Sequence, residues 1–141
     1  MLINSSQHTV DAKGRIFFPM RFRDDMWEKI IICRGIGKYL MLFSPDEWKK
    51  FTDRFNSLPD SSREKVRRFF FSVAAECAVD QQGRLLLPQN LREFAGLEKN
   101  VTVAGMQDHA EIWDTVKWDE AQMAISEDEI SGIMDALPFG S

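Results

Sequence analysis

The chain has 141 residues, is 44% hydrophobic and 28% charged, and carries a formal net charge of −4. That composition excludes disorder of the whole chain and leaves room for one ordinary domain or two small ones. No apolar run approaches the roughly 18 residues that a membrane helix needs, and MLINSSQHTV lacks the basic segment and apolar core of a signal peptide, so a cytoplasmic location is expected.

In chain order, the first readable element is DAKGRIFFP at 11–19, a tight turn with an exposed base running into an apolar strand over 16–18 that Pro19 ends. A short helix should follow, because proline suits a first helical turn. Apolar strands come next at 30–33 (IIIC) and 39–43 (YLMLF). Ser44, Pro45 and Glu47 supply an N-cap, a first-turn proline and a capping-box glutamate for a helix that lines up Trp48, Phe51 and Phe55. A second capping box, Ser61 to Glu64, opens a segment in which Val66, Phe69, Phe70, Val73, Ala74 and Cys77 recur at helical spacing, which predicts one long linking helix.

The first motif then returns as DQQGRLLLP at 80–88, displaced by 69 positions. Its strand, 85–87, ends at Pro88, and the helix after it carries Leu91, Phe94 and Ala95 with Gly96 as C-cap. Strands follow at 101–105 (VTVAG) and 110–113 (AEIW), then a helix from near Asp114 that uses Val116, Trp118, Ala121 and Ile125. Acid, glycine and proline in SEDEISGIMDALPFGS mark a loosely held tail. The expected organisation is a first repeat with its helix at 1–57, a linking helix at 58–76, a second repeat with its helix at 77–121 and a tail at 122–141.

The repeat extends past the motif: Phe22 matches Leu91, Arg23 matches Arg92, Gly35 matches Gly105, Phe43 matches Trp113 and Trp48 matches Trp118. Pieces of 50–70 residues are marginal as separate folds, so the two halves should pack on one another. The predicted class is mainly β with appended helices, an α+β content arranged as a small pseudo-twofold barrel that leaves no exposed strand edge.

Charge is divided between the halves. Residues 1–70 carry 14 Lys/Arg against 9 Asp/Glu, net +5, whereas residues 71–141 carry 4 against 13, net −9. A basic half suits an anionic partner; two differently solvated surfaces are the plainer alternative. Asp11 and Asp80 can each accept from backbone N–H groups a few residues on, while Gly14 and Gly83 supply a positive φ, so each turn aims the arginine after it. In the first copy Arg15 stands with Lys13, Arg21 and Arg23 in a compact basic cluster. In the second only Arg84 and Arg92 keep positive charge. The competing reading is that Arg15 and Arg84 pair with their own aspartates and fasten the turns.

HTVDAKGRIFFPMRFR at 8–23 and AVDQQGRLLLPQNLREFAGL at 78–97, followed by EIWD and Trp118, resemble the MraZ family of bacterial transcriptional regulators. The likeness runs to about residue 121, and two D-x-x-G-R motifs in one chain of this length are specific. Val10 stands where the family commonly has leucine, a small departure. The resemblance implies two AbrB-like swapped-hairpin units per chain and a ring-shaped homo-oligomer. It also implies binding to direct DNA repeats in the promoter of a cell-division and cell-wall gene cluster that includes the protein's own gene, hence a nucleoid-associated protein.

Charge and geometry then suggest a mechanism in which Arg15 contacts guanine in the major groove of double-stranded DNA. Lys13, Arg21 and Arg23 hold phosphates, with Arg84 as the next candidate. No cofactor, metal, membrane or small-molecule substrate is expected, and no enzyme: Cys33, Cys77, His8 and His109 lack metal-ligand spacing, and no nucleophile with a positioned base, P-loop or dinucleotide fingerprint occurs. The alternative is a protein-binding or antitoxin-like oligomeric module without direct DNA contact.

Overall fold

The computed structural model describes residues 1–26 and 28–138. In chain order the strands are β1 (Ser5–Thr9), β2 (Arg15–Phe17), β3 (Ile30–Arg34), β4 (Leu40–Phe43), β5 (Ala75–Cys77), β6 (Arg84–Leu86), β7 (Asn100–Gly105) and β8 (Ala110–Asp114). The helices are α1 (Pro45–Asp53), α2 (Asp60–Phe71), α3 (Gln89–Ala95), α4 (Thr115–Met123) and α5 (Glu127–Asp135). This is an α+β fold with antiparallel pairing throughout.

Six strands form one sheet in the order β1-β7-β8-β4-β3-β5, and β2 and β6 form a separate two-stranded ribbon. The pairing crosses between the halves. β1 of the first half pairs with β7 of the second, and β5 of the second pairs with β3 of the first. β4 pairs with β8 and β2 with β6, so the repeat in sequence becomes a pseudo-twofold relation in space.

β-branched and leucine side chains fill the interior. Ile30, Ile32, Leu40, Leu42, Val101, Val103 and Ile112 of the sheet meet Ile16 and Leu85 of the ribbon in one fully buried cluster. A second cluster, Cys33, Phe43, Phe55 and Phe70, lies between the sheet's outer face and α1 and α2. Truncating a buried ring such as Phe70 to alanine is worth about 3–5 kcal/mol. Both cysteines are free, and burial pushes the Cys33 thiol up to about 12.

The expected barrel does not close. β5 stops after three residues at one edge and β1 pairs with β7 alone at the other, so the ladder stays open; the β2-β6 ribbon packs on the sheet through the shared core, and its Leu85 bridges to Val79 just beyond β5. After Pro19 the first repeat makes only a 3-10 turn over Met20–Phe22, whereas the second makes α3, which Gly96 closes in the left-handed conformation at φ +66°. The linking helix begins on Pro59 rather than on a Ser61 cap and ends at Phe71. Residues Ala75–Cys77 leave the helical pattern because their backbone groups satisfy the edge of β3. The segment expected as a loose tail contains α5, capped by Ser126, whose hydroxyl accepts from the Glu129 N–H at 3.1 Å. Residues 139–141 of that segment lie outside the described residues.

Candidate nucleic-acid interface

Asp11 and Asp80 open two loops of the same construction. Asp11 Oδ1 accepts from the N–H groups of Lys13 and Arg15, both at 2.9 Å, and Asp80 Oδ1 accepts from those of Gln82 and Arg84, both at 2.9 Å. Each loop is closed by main-chain bonds, Gly14 N–H to Asp11 O and Gly83 N–H to Asp80 O at 3.0 Å. Gly14 and Gly83 take φ of +87° and +82°, a region that side chains other than glycine tolerate poorly. The Arg15 and Arg84 N–H bonds lead the causes that hold the Asp11 and Asp80 carboxyls below the usual carboxylate range.

Both arginines also fasten their loops. Arg15 Nε donates to Asp11 Oδ2 at 2.8 Å, and Arg84 Nε donates to Asp80 Oδ2 at 3.3 Å. Their side chains are 24% and 25% exposed. They differ at the far end of the guanidinium. Arg84 Nη2 is bound to Gln82 Oε1 at 2.6 Å, while both Nη groups of Arg15 lack a protein partner among the described residues. Fastening the turn and offering donors are therefore compatible at Arg15.

The loops feed the ribbon, whose register sets Arg15 opposite Leu86 and Phe17 opposite Arg84. Strand alternation sends Ile16 and Leu85 into the core, 1% and 0% exposed. The other face carries Arg15, Phe17, Arg84 and Leu86, with Phe17 64% and Leu86 54% exposed. This pair of outward apolar residues between two arginines was hidden in the sequence by the continuous apolar runs; the period of two within IFF and LLL is the signal that could have found it.

The remaining candidates are dispersed. Lys13 is exposed; its main-chain N–H is bound to Asp11, but its ammonium has no partner among the described residues. Arg21 is occupied elsewhere: it donates to Ile3 O, Asn4 O, Ser6 Oγ and Val103 O, stapling β1 to the sheet, and its guanidinium lies 4.4 Å from the Phe22 ring centre. Arg23 lies along a shallow groove with Asp24, Asp25 and Glu28, whose charge opposes its own. Arg92, the repeat mate of Arg23, donates from Nε to Leu87 O at 2.9 Å and packs on Gly14. Among the described residues, no helix is long and apolar enough to cross a membrane, and no group of three or more His, Cys, Asp or Glu is placed to hold a metal.

On the opposite side, where β4 meets β8, Tyr39 stacks on Trp113 at 4.6 Å and Phe43 stacks on His109 at 5.3 Å. His109 faces Asp108 at 2.6 Å and the buried Glu111 at 3.6 Å. Burial pushes its imidazole down, but the two carboxylates outweigh that and hold its pKa above the usual histidine value.

Fold and loops together define a tandem-repeat α+β protein that presents a two-stranded ribbon with an arginine on each strand. The family described as "MraZ protein, putative antitoxin-like" matches residues 1–69 and again 70–135. A protein of Acetivibrio thermocellus named transcriptional regulator MraZ is 46% identical, over 84% of this chain and 85% of that protein. Proteins of the same name from Caldicellulosiruptor bescii and Caldanaerobacter subterraneus are 40% and 37% identical, over 97% and 96% of this chain and 99% and 97% of theirs. The chain belongs to the MraZ family of transcriptional regulators.

Proposed function

We propose that this protein regulates transcription by binding double-stranded DNA through the outer face of the β2-β6 ribbon. The observation that carries the reading is the pair of matched loops, which fix Arg15 and Arg84 on one face of a ribbon narrow enough for the major groove. The free Nη groups of Arg15 suit guanine O6 and N7, and Lys13 suits a neighbouring phosphate. Arg23 is a peripheral phosphate contact, and Arg84 a weaker one because Gln82 already takes one of its donors. Arg21, expected as a phosphate contact, serves the frame that holds β1 instead.

One ribbon with so few cations binds weakly. A ring of identical protomers on direct promoter repeats turns later contacts into intramolecular ones, raising avidity by about 10²- to 10⁴-fold where geometry permits. The crossed strand pairing supports the swapped-hairpin form of each unit. The target is the promoter of a cell-division and cell-wall gene cluster including the protein's own gene, which places the protein on the nucleoid in the cytoplasm.

The test is an electrophoretic shift with DNA carrying one to four repeats, across a salt series. Affinity should rise with repeat number, and log affinity should fall with log salt. Equal affinity for one repeat and four defeats the avidity account. Recovery of a stoichiometric protein partner with no DNA affinity supports the antitoxin-like module, for which the exposed Phe17 and Leu86 provide an apolar surface.

A further inference from the structure

Among the described residues, helix α5 has no seat in its own chain. None of its residues is buried, and Ile130, Ile133, Met134 and the following Leu137 are 43%, 57%, 36% and 49% exposed. Their spacing of three, four and seven residues puts all four on one face. A nine-residue helix is too short to persist on propensity alone, and Gly132 within it is a poor helix former. Yet its start is built with care: Ser126 caps it, and Glu127, Asp128 and Glu129 fill the first turn, where the helix dipole favours acid. A helix so specified, with its apolar stripe in water, is made to be covered.

The fold indicates by what. α5 follows α4 as α2 follows α1, and α2 lays Phe70 with Val66 and Phe69 against Cys33, Phe43 and Phe55. Beside that cluster lies a further apolar groove of about 330 Å³, lined by Ile31 and Trp48 of the first half and by Phe71 and Ala74 at the end of α2 and just beyond it, with Phe71 46% exposed. Charge matches as well. Residues 126–138 carry four carboxylates and neither lysine nor arginine. Lys29 lines the groove beside Glu76 at 3.9 Å, and exposed Arg67 and Arg68, which share Glu64 at 3.8 and 4.0 Å, stand one turn before Phe71 on α2, so the cations there outnumber the acids facing them three to two.

We infer that the occupant of this groove is α5 of a second copy of the chain, its apolar stripe against Trp48 and Phe71 and its acids toward Lys29, Arg67 and Arg68. Donor and acceptor are different surfaces of the chain, so the contact is heterologous and propagates from protomer to protomer until a ring closes. The inference rests on the proposed homo-oligomer and supplies its interface and polarity.

Analytical ultracentrifugation of the full chain tests it with Ile133→Glu, which spoils the donor, and Phe71→Glu, which spoils the acceptor. Each alone should sediment as a monomer with a folded circular-dichroism spectrum. Mixed in equal amounts they should form a dimer and nothing larger, because the mixture retains one intact donor–acceptor pair. If Phe71→Glu fails to fold, the exposed Arg67→Glu/Arg68→Glu double variant replaces it, and Glu127→Lys/Glu129→Lys in the same chain should restore assembly. Wild-type-sized oligomers from either folded single variant, or no dimer in the mixture, overturn the docking. A wild-type chain that is itself monomeric defeats the oligomer reading, a result distinct from wild-type rings that survive both substitutions.

Discussion

The guanidinium of Arg92, in the second repeat, lies against Gly14, in the turn of the first: a Cβ built on Gly14 would sit 2.6 Å from Arg92 Cζ. The same arginine is tied by Nε to Leu87 O, and the Leu87 N–H donates to Gly14 O at 3.0 Å. One repeat thus braces the turn of the other. Gly14→Ala meets both a positive φ and this neighbour, and is expected to cost about 1–3 kcal/mol in urea denaturation. An unchanged midpoint and slope would show that the brace carries no weight.

Arg15→Lys keeps the charge but loses the planar fork that binds Asp11 through Nε and, in the proposed complex, would offer its Nη groups to a base. The expected result is a loss of promoter affinity of at least tenfold, with stability changed by no more than about 1 kcal/mol because the lost pair is partly exposed. Thermal melting beside the shift assay separates the two effects. A stability defect with affinity intact assigns Arg15 to the turn alone.

Phe17→Ser and Leu86→Ser alter side chains that face outward, so melting should move by no more than about 0.5 kcal/mol equivalent. If the ribbon face is the DNA contact, each should lower affinity about 3- to 10-fold, since thymine methyl groups are read by apolar contact. Unchanged binding by both variants removes this face from the interface.

The two loop aspartates give stability a dependence on acid. Their folded pKa values lie below the ordinary carboxylate value of 3.8, so they favour the folded state above that value, and this contribution is lost as pH falls through the lower folded values. Between pH 7 and 5 the contribution should be flat. Asp11→Asn/Asp80→Asn should show a smaller loss than wild type in urea melts taken from pH 5 down to 2.

His109 acts in the opposite direction. Its folded pKa lies above the ordinary 6.5, so the stability it adds is fully present below 6.5 and is lost as pH rises through the folded value. His109→Phe keeps a ring against Phe43 and removes the titration. The variant's denaturation midpoint should vary less than the wild type's from pH 6 to 9.

Strong periodicity and the repeat made most strands legible: β2 and β6 from their shared motif, β3, β4, β7 and β8 from dense apolar runs. β1 escaped because SSQHT has no apolar alternation; it is held by its ladder to β7 and by Arg21, contacts that no local pattern encodes. β5 was masked by helical spacing that continues to Cys77, where ladder bonds to β3 prevail over propensity. In the sequence α5 reads as tail, because acid, glycine and proline outweigh a stripe that only the helix assembles. At the loops, spacing identified the residues, whereas fastening and presentation looked like rivals until Arg15 combined both.

The exchange of edge strands between the halves has a consequence for how such a molecule can exist. A polypeptide holding one repeat would leave its first strand without a mate, and it could fold only by lending that strand to a twin. The tandem chain is that twinned object made from a single molecule, with the tether through α1 and α2 replacing encounter in solution, so that dilution, which dissolves a dimer, leaves it whole.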